Sequence, residues 1–400
     1  MHIECINGAP IADMLDHLPT VPLLIEYWSG DTLPDQDELW ICHALRLRDR
    51  VRYIDLNLPP SIWHKVVVLL DEHFPILEHL SLLLAVTVKN IHPFTLPKAF
   101  LAPNLRHLAL PGICPPRRLQ MLTSTVSLVT LKLSNIQTSS YFRPRLLVAR
   151  LRSLPQLEEL YIGFSIPMPR PSTERELLGG HGAPGTLPSL KYLLFRGVSA
   201  YLESLVAQIR VPLLERLGIT LFNQIAFALP HLSHLINITE AFKLPSAEVG
   251  FYCDEVYVTV HDSPKSGPLS FCIICKPLDW QIDCAAQICQ VLIPTLSSVE
   301  KLWLPFGYKE ISIELRNGAI DSASWHDLLR MFIGVKNLHI DDALSEELSR
   351  ALQVDEVGLD PEFLPNLQSI TARRNLFTLF IDARQVVGRP VSYTDIHFST

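Results

Sequence analysis

The chain has 400 residues, 48% of them hydrophobic and 19% charged, with a formal net charge of −7. That much apolar side chain supplies a core and excludes global disorder, while dispersed charge of this sign excludes a nucleic-acid footprint and a polybasic membrane contact. No segment reaches about 18 apolar residues without a charge or a proline, which excludes a spanning helix.

The opening "MHIECINGAPIADMLDHLP" has acids and a proline where a secretory signal needs a basic start and an unbroken apolar stretch. The chain is therefore expected in the cytoplasm or nucleus, with the sequon Asn237-Ile238-Thr239 idle and the eight cysteines kept as buried thiols. Residues 1–45 read as a lead-in or cap. The one dense basic run, "RLRDRVR" at 46–52, alternates its arginines with Leu47, Asp49 and Val51 and reads as a solvated face rather than a phosphate clamp.

From Val51 onward one skeleton recurs: an aliphatic, two free positions, an aliphatic, one free position, an aliphatic. "LPQLEELYIGF" at 154, "LPSLKYLLFRG" at 187 and "VPLLERLGITL" at 211 are three copies. Aligned on the first aliphatic, the copies begin at Val51, Leu77, Leu105, Leu128, Leu157, Leu190 and Leu214, and resume at Val299, Val335 and Leu367. These intervals fit leucine-rich repeats, each contributing one strand and one helix or helical turn. The second and third aliphatics, two apart, enter the core from one face of a short strand, and stacked repeats close a core that none closes alone. Amphipathic helices are predicted at 61–73, 201–210 and 324–332. Proline precedes the skeleton at Pro75, Pro103, Pro155, Pro188, Pro212 and Pro365, where it is expected to stop the helix and extend the entry to the strand.

Between Leu214 and Val299 the pattern changes. "AEVGFYCDEVYVTVHD" reads as a β-hairpin around Cys253-Asp254-Glu255, and "LSFCIICKPLDWQID" as a strand followed by a helix through Cys289. The prediction is an α/β leucine-rich-repeat solenoid, a horseshoe with a parallel concave sheet and convex helices, in one domain over 1–400. Regular repeats span 46–222 with a mobile loop insertion at 167–186, modified repeats with the hairpin span 223–298, and C-terminal repeats and a cap span 299–400.

Several patterns invite a chemical reading. Cys272-x2-Cys275 with Cys284 and Cys289 places four thiols close in sequence, and a zinc protein built on them is one alternative. The first pair lies in an apolar strand, where an offset of three puts the side chains on opposite faces, so buried core thiols are the expectation. His231-x2-His234 lacks the glutamate of a zinc protease. "GHGAPG" at 180–185 formally satisfies G-x-G-x-x-G but follows polar sequence and carries Pro184 where a helix should open. Asp341-Asp342 and Glu346-Glu347 read as a helix start and a solvated face. No catalytic signature is present, so neither an enzyme nor a cofactor is expected.

What remains is surface. The free positions beside the core aliphatics project from the sheet and give a candidate binding face: Tyr53, Asp55, His79, Ser81, His107, Thr130, Lys132, Glu159, Tyr161, Tyr192, Arg196, Arg216, Lys301, Trp303, Asn337 and His339. Tyr, Trp and Arg are enriched at binding hot spots. The expected partner is a protein, with no nucleic acid and no membrane.

Read in order, "GAPIADMLDHLP", "LRDRVRYIDLNLP", "FPILEHLSL", "LDWQIDCAAQICQVLIPTLSSVEKLWL" and "LPNLQSITARRNLFTLFIDARQVVGRPV" resemble the leucine-rich-repeat region of F-box-like proteins abundant in basidiomycete fungi. The resemblance covers nearly the whole chain and rests on skeleton positions. It implies an F-box ahead of the repeats that docks the adaptor of a cullin ubiquitin ligase. Residues 1–45 lack the LP-x-E-(I/L) run and Trp-rich helices of that module, so the chain is expected to begin after it and, without an F-box, not to bind the ubiquitin-ligase adaptor. Three functions compete: a non-catalytic protein-recognition scaffold, a ligase substrate receptor whose F-box is missing or altered, and a zinc protein using the 272–289 cysteines.

Overall fold

Each copy of the skeleton folds as one turn followed by one strand. The computed structural model describes residues 2–4, 21–28, 34–84, 94–116, 119–137, 140–165, 184–222, 227–262, 267–275, 278–307, 322–352, 363–373 and 375–395. The amide of the first skeleton aliphatic closes the turn on the carbonyl three residues back: Leu105 on Ala102, Leu128 on Thr125, Leu157 on Leu154, Leu190 on Leu187, Leu214 on Val211, and likewise Val299, Val335 and Leu367. Pro103, Pro155, Pro188, Pro212 and Pro365 fall at the second position of these turns, where a fixed φ is favoured. Proline thus shapes the turn, rather than the extended entry to the strand that the sequence suggests. One carbonyl per repeat then accepts two amides of the next: Arg106 O from Val129 and Thr130, Val129 O from Glu158 and Glu159, Glu158 O from Lys191 and Tyr192.

Contacts divide the chain into two units, Met1–Gly197 with Ser204–Leu214, and Val198–Glu203 with Glu215–Thr400. The N-terminal unit carries strands β1 (His2–Glu4), β2 (Leu23–Trp28), β3 (Val51–Leu58), β4 (His79–Leu84), β5 (His107–Pro111), β6 (Thr130–Ile136), β7 (Glu159–Phe164) and β8 (Tyr192–Gly197), in that order and all parallel. Register aligns the core aliphatics into a ladder, Ile54–Leu80–Leu108–Leu131–Leu160–Leu193, every member buried. Strand β2 lies inside the stretch expected to be a lead-in. Its Leu23, Ile25 and Tyr27 are buried and pair with Val51, Ile54 and Leu56, across an irregularity at Leu23/Leu24 that leaves the copy one residue short of the skeleton.

The C-terminal unit carries β9 (Arg216–Phe222), β10 (Ser246–Phe251), β11 (Glu255–His261), β12 (Leu269–Ile274), β13 (Lys301–Leu304), β14 (Asn337–Ile340), β15 (Ser369–Ala372) and β16 (Ser392–Asp395). Their order is β9-β12-β11-β10-β13-β14-β15-β16, with β11 antiparallel to both neighbours and every other pair parallel. The hairpin read from Cys253-Asp254-Glu255 is therefore present as β10–β11, and β12 returns the chain to the parallel direction.

Among the described residues, helices cover one face of the strands: α1 (Asp35–Arg46), α2 (Pro60–Leu70), α3 (Pro144–Leu151), α4 (Ser199–Val206), α5 (Pro230–Ile238), α6 (Leu278–Leu296), α7 (Ser322–Leu329), α8 (Ser345–Ala351) and α9 (Thr378–Val386). Proline opens α2, α3 and α5 at a position where its missing N–H costs nothing. The Glu203 carboxylate accepts the first amides of α5, from His231 and Leu232. Arg384 of α9 is buried and donates to the carbonyls of Phe363, Pro365 and Leu367, tying the last helix to the preceding turn. Two short parallel pairs, Phe94–Thr95 with Ile113–Cys114 and Gly185–Thr186 with Ile209–Arg210, form small sheets of their own. Residues 166–183, most of the predicted loop insertion and most of "GHGAPG", lie outside the described residues. Parallel strands repeated once per skeleton, with a continuous aliphatic ladder and helices on one side, make this an α/β leucine-rich-repeat fold. Among the described residues no helix is long and apolar enough to cross a membrane.

Candidate functional site

Alternation along each strand sends one set of side chains into the core and the other to the face that the helices leave open. In the N-terminal unit, register lines the open face into rows. One row runs Leu24–Tyr53–His79–His107–Thr130–Glu159–Tyr192, and the next Glu26–Asp55–Ser81–Ala109–Lys132–Tyr161–Leu194. Tyr53 and His79 stack at 4.1 Å between ring centroids, and His79 meets His107 at 5.7 Å. A groove of about 340 Å³ beside this stack is lined by Leu24, Tyr53, His79 and His107 together with Arg52 and Arg106. Lys132 and Glu159 pair diagonally at 3.3 Å. The ring of Tyr161 lies along the strand over Gly163, where an added Cβ would come within 3.2 Å of the phenol oxygen. Arg196 of β8 is half-buried, beside Gly163 in register. Thr130 departs from the expectation: it is buried, its short side chain lying between His107 and Glu159.

In the C-terminal unit the open face carries a second stack. Trp303 of β13 lies between His261 of β11, at 5.5 Å, and His339 of β14, at 5.1 Å and 11° from parallel; His261 is itself buried, so Trp303 and His339 are the accessible part of this stack. Lys301 and Asn337 are neighbours in the adjoining row, and Arg216 is exposed at the start of β9. Glu248 pairs with Trp303 in register and accepts a hydrogen bond from the Tyr257 hydroxyl, whose ring in turn occupies the space left by Gly250. A cavity of about 370 Å³ opens beside Trp303 and His339, bordered by Asp341, Asp342 and Arg373.

Electrostatics keep these rings neutral. Burial lowers the pKa of His79, helped by His107 and Lys132 and opposed by Asp55. Burial also lowers His107, His261 and His339, with Lys301 adding to the effect at His339. The Tyr53 phenol is shifted upward by burial and then by the charges of Asp55 and Glu26. At neutral pH the two stacks therefore present uncharged imidazole and phenol.

The other patterns resolve into structure. Cys275, Cys284 and Cys289 are buried, and Cys272, on the opposite face of β12 from Cys275, contacts Glu255 at 3.3 Å. Cys275 and Cys284 meet in a thiol–thiol hydrogen bond, but among the described residues no group of three or more His, Cys, Asp or Glu is placed to hold a metal ion. His231 and His234 are exposed on α5. The Asp341 carboxylate accepts from the Ala343 amide and caps a helical turn, as its position suggests, while Glu346 and Glu347 lie in the first turn of α8.

Absent from the residues singled out by the skeleton are Leu24, Glu26 and Trp28 on β2, and Glu248, Tyr257 and His261 on the hairpin. The alternation in "LLIEYW" is the signal that finds β2. No protein-family model and no curated protein matches the chain. Among solved structures it is similar to TLR13 in its complex with ssRNA13, at 16% identity over 88% of this chain and 46% of that one, with a TM-score of 0.31. It is also similar to the leucine-rich-repeat-containing protein LegL7 from Legionella pneumophila, at 12% identity over 98% of each chain, with a TM-score of 0.28. The chain spans about half the length of the TLR13 chain. At these scores neither likeness informs function, and the fold stands on its own strand order and ladder.

Proposed function

We propose that this chain is a non-catalytic recognition protein that binds protein partners on the open face of its sheet. One observation carries the reading: both units hold an aromatic–histidine stack, Tyr53–His79–His107 and His261–Trp303–His339, on the face that no helix among the described residues covers. Rings fixed on rigid strands bind with little loss of side-chain freedom, and tyrosine and tryptophan carry much of the energy at protein interfaces. Stacked repeats present such residues over an extended surface. The resemblance to F-box-like proteins supports a finer reading, in which the bound partner is a substrate for ubiquitin transfer. Co-purification of the ligase adaptor with the chain tests that version.

Selection of short random peptides on the full chain tests the recognition reading itself. Selected peptides are expected to lose at least about tenfold in affinity, roughly 1.4 kcal/mol, on Tyr53→Ala or Trp303→Ala, and to keep it on Val68→Ser, an exposed site on α2. Equal affinity for all three variants overturns the reading.

A further inference from the structure

Glu78 and Arg106 line two adjoining grooves of the N-terminal unit. One, of about 340 Å³, lies beside the Tyr53–His79–His107 stack; the other, of about 380 Å³, follows the turns that open the strands and is lined also by Ile76, Asn104, Ser127 and Gln156. Elsewhere along this turn edge a side chain ties one repeat to the one before: Asn104 donates to the Pro75 carbonyl and Ser189 to the Pro155 carbonyl. Ser127 and Gln156 hold the same place, just before the first skeleton aliphatic, and among the described residues their side chains make no such bond. The second skeleton position carries charge in most repeats, and those charges pair: Arg52 with Glu78 at 3.0 Å, Lys191 with Glu158 at 3.0 Å. Arg106 lies in this row between Glu78 and Val129; it is exposed, and among the described residues its guanidinium has no ion pair. Lys132 and Glu159, on the strands beyond, pair with each other. With Arg52 and Glu78 offsetting one another, the wall shared by the two grooves is left with one uncompensated positive charge.

Resting on the recognition reading above, we propose that these two grooves bind an extended segment of a partner protein through an Asp or Glu side chain, its carboxylate on Arg106 and a nearby apolar side chain against the Tyr53–His79–His107 stack. The guanidinium fork matches a carboxylate with two parallel hydrogen bonds. A carboxylate also carries the single charge that the wall lacks, whereas a phosphate, with nearly two, would leave an excess beside Glu78. Ser127 and Gln156 supply hydrogen-bonding groups for the backbone of the segment. Arg106 leads into β5, so His79 and Tyr53 lie one and two strands away, about 5 and 10 Å across the sheet. An extended chain covers that span in about two or three residues, which sets the expected spacing between the acid and the apolar side chain.

The test is the composition and variant-dependence of peptides selected on the full chain. Asp or Glu is expected to be enriched over the input library, close to an apolar residue. Acidic peptides are expected to weaken at least about tenfold on Arg106→Gln, the size of a hot-spot contact, to weaken less on Arg106→Lys, which keeps the charge without the fork, and to weaken as salt is raised. Because Arg106 is exposed and makes no ion pair among the described residues, both variants should melt with the wild type. Lys98→Gln, at an exposed cation next to the residue bound by Asp71 at the end of α2, should bind as the wild type does. No enrichment of acids, or acidic peptides indifferent to Arg106→Gln, overturns the proposal, as does tighter binding when the peptide acid is exchanged for phosphoserine. Peptides that depend on Trp303 but not on Arg106 overturn it while leaving the recognition reading in place; peptides indifferent to every open-face substitution overturn both.

Discussion

Tyr53 and His79 stand side by side on neighbouring parallel strands, their rings 4.1 Å apart between centroids and 13° from parallel. The contact exists only because β3 and β4 pair with Tyr53 opposite His79; a slip of either strand by one residue would send that strand's ring into the core and part the pair. A double-mutant cycle of Tyr53→Ala and His79→Ala should give a coupling of about 0.5–1.5 kcal/mol in denaturant unfolding. Additive effects would show that the rings do not interact in solution.

Leu160 sits in the middle of the aliphatic ladder, between Leu131 and Leu193, and is 1% exposed. Leu160→Asp places a carboxylate among these apolar neighbours and should cost at least about 3 kcal/mol. Glu159→Ala, one residue earlier, removes only an exposed ion pair with Lys132 and should cost less than about 1 kcal/mol. Thermal and urea melts of the two variants check the contrast, and wild-type stability in the Leu160→Asp chain would contradict the register.

The strands whose repeats keep the skeleton spacing were legible residue by residue: Leu160 and Ile162 inward, Glu159 and Tyr161 outward. Strand β2 was not, because its copy is one residue short and falls outside the template, and with it went Glu26 and Trp28. The hairpin was visible in the local sequence, but the placement of β11 between β12 and β10 follows from long-range pairing that no local pattern encodes. Hence His261 could not be matched with Trp303. Thr130 was assigned to the correct face, but burial depends on its larger neighbours as well as its direction.

Four histidines of the open face, His79, His107, His261 and His339, have folded-state pKa values lowered first of all by burial. Unfolding returns each to about 6.5, so in acid the unfolded chain binds more protons than the folded one and stability rises with pH. The contribution is intact above about pH 6.5 and is lost as pH falls through the folded-state values. Melting temperature should therefore drop between neutral pH and about pH 5, and the drop should shrink in a His79→Asn, His107→Asn chain. An equal drop in both proteins would contradict the assignment.

Burial separates the thiols. Cys253 is exposed, whereas Cys275, Cys284 and Cys289 are buried, and burial alone raises the pKa of Cys289. Because the thiolate is the reactive form, iodoacetamide should label Cys253 in the native chain and reach Cys275, Cys284 and Cys289 only after denaturant is added. Peptide mapping reads the result, and fast native labelling of Cys289 would contradict the packing of α6.

The claim that the open sheet face is the recognition surface is tested most directly by hydroxyl-radical footprinting of the chain with and without a selected peptide ligand. Oxidation of open-face rings, among Trp28, Tyr53, Tyr161 and Trp303, should fall on binding, while Trp280 and Leu379, exposed on α6 and α9, should oxidise as before. Protection of Trp280 or Leu379 with the open-face rings unchanged would place the partner on the helices and contradict the account.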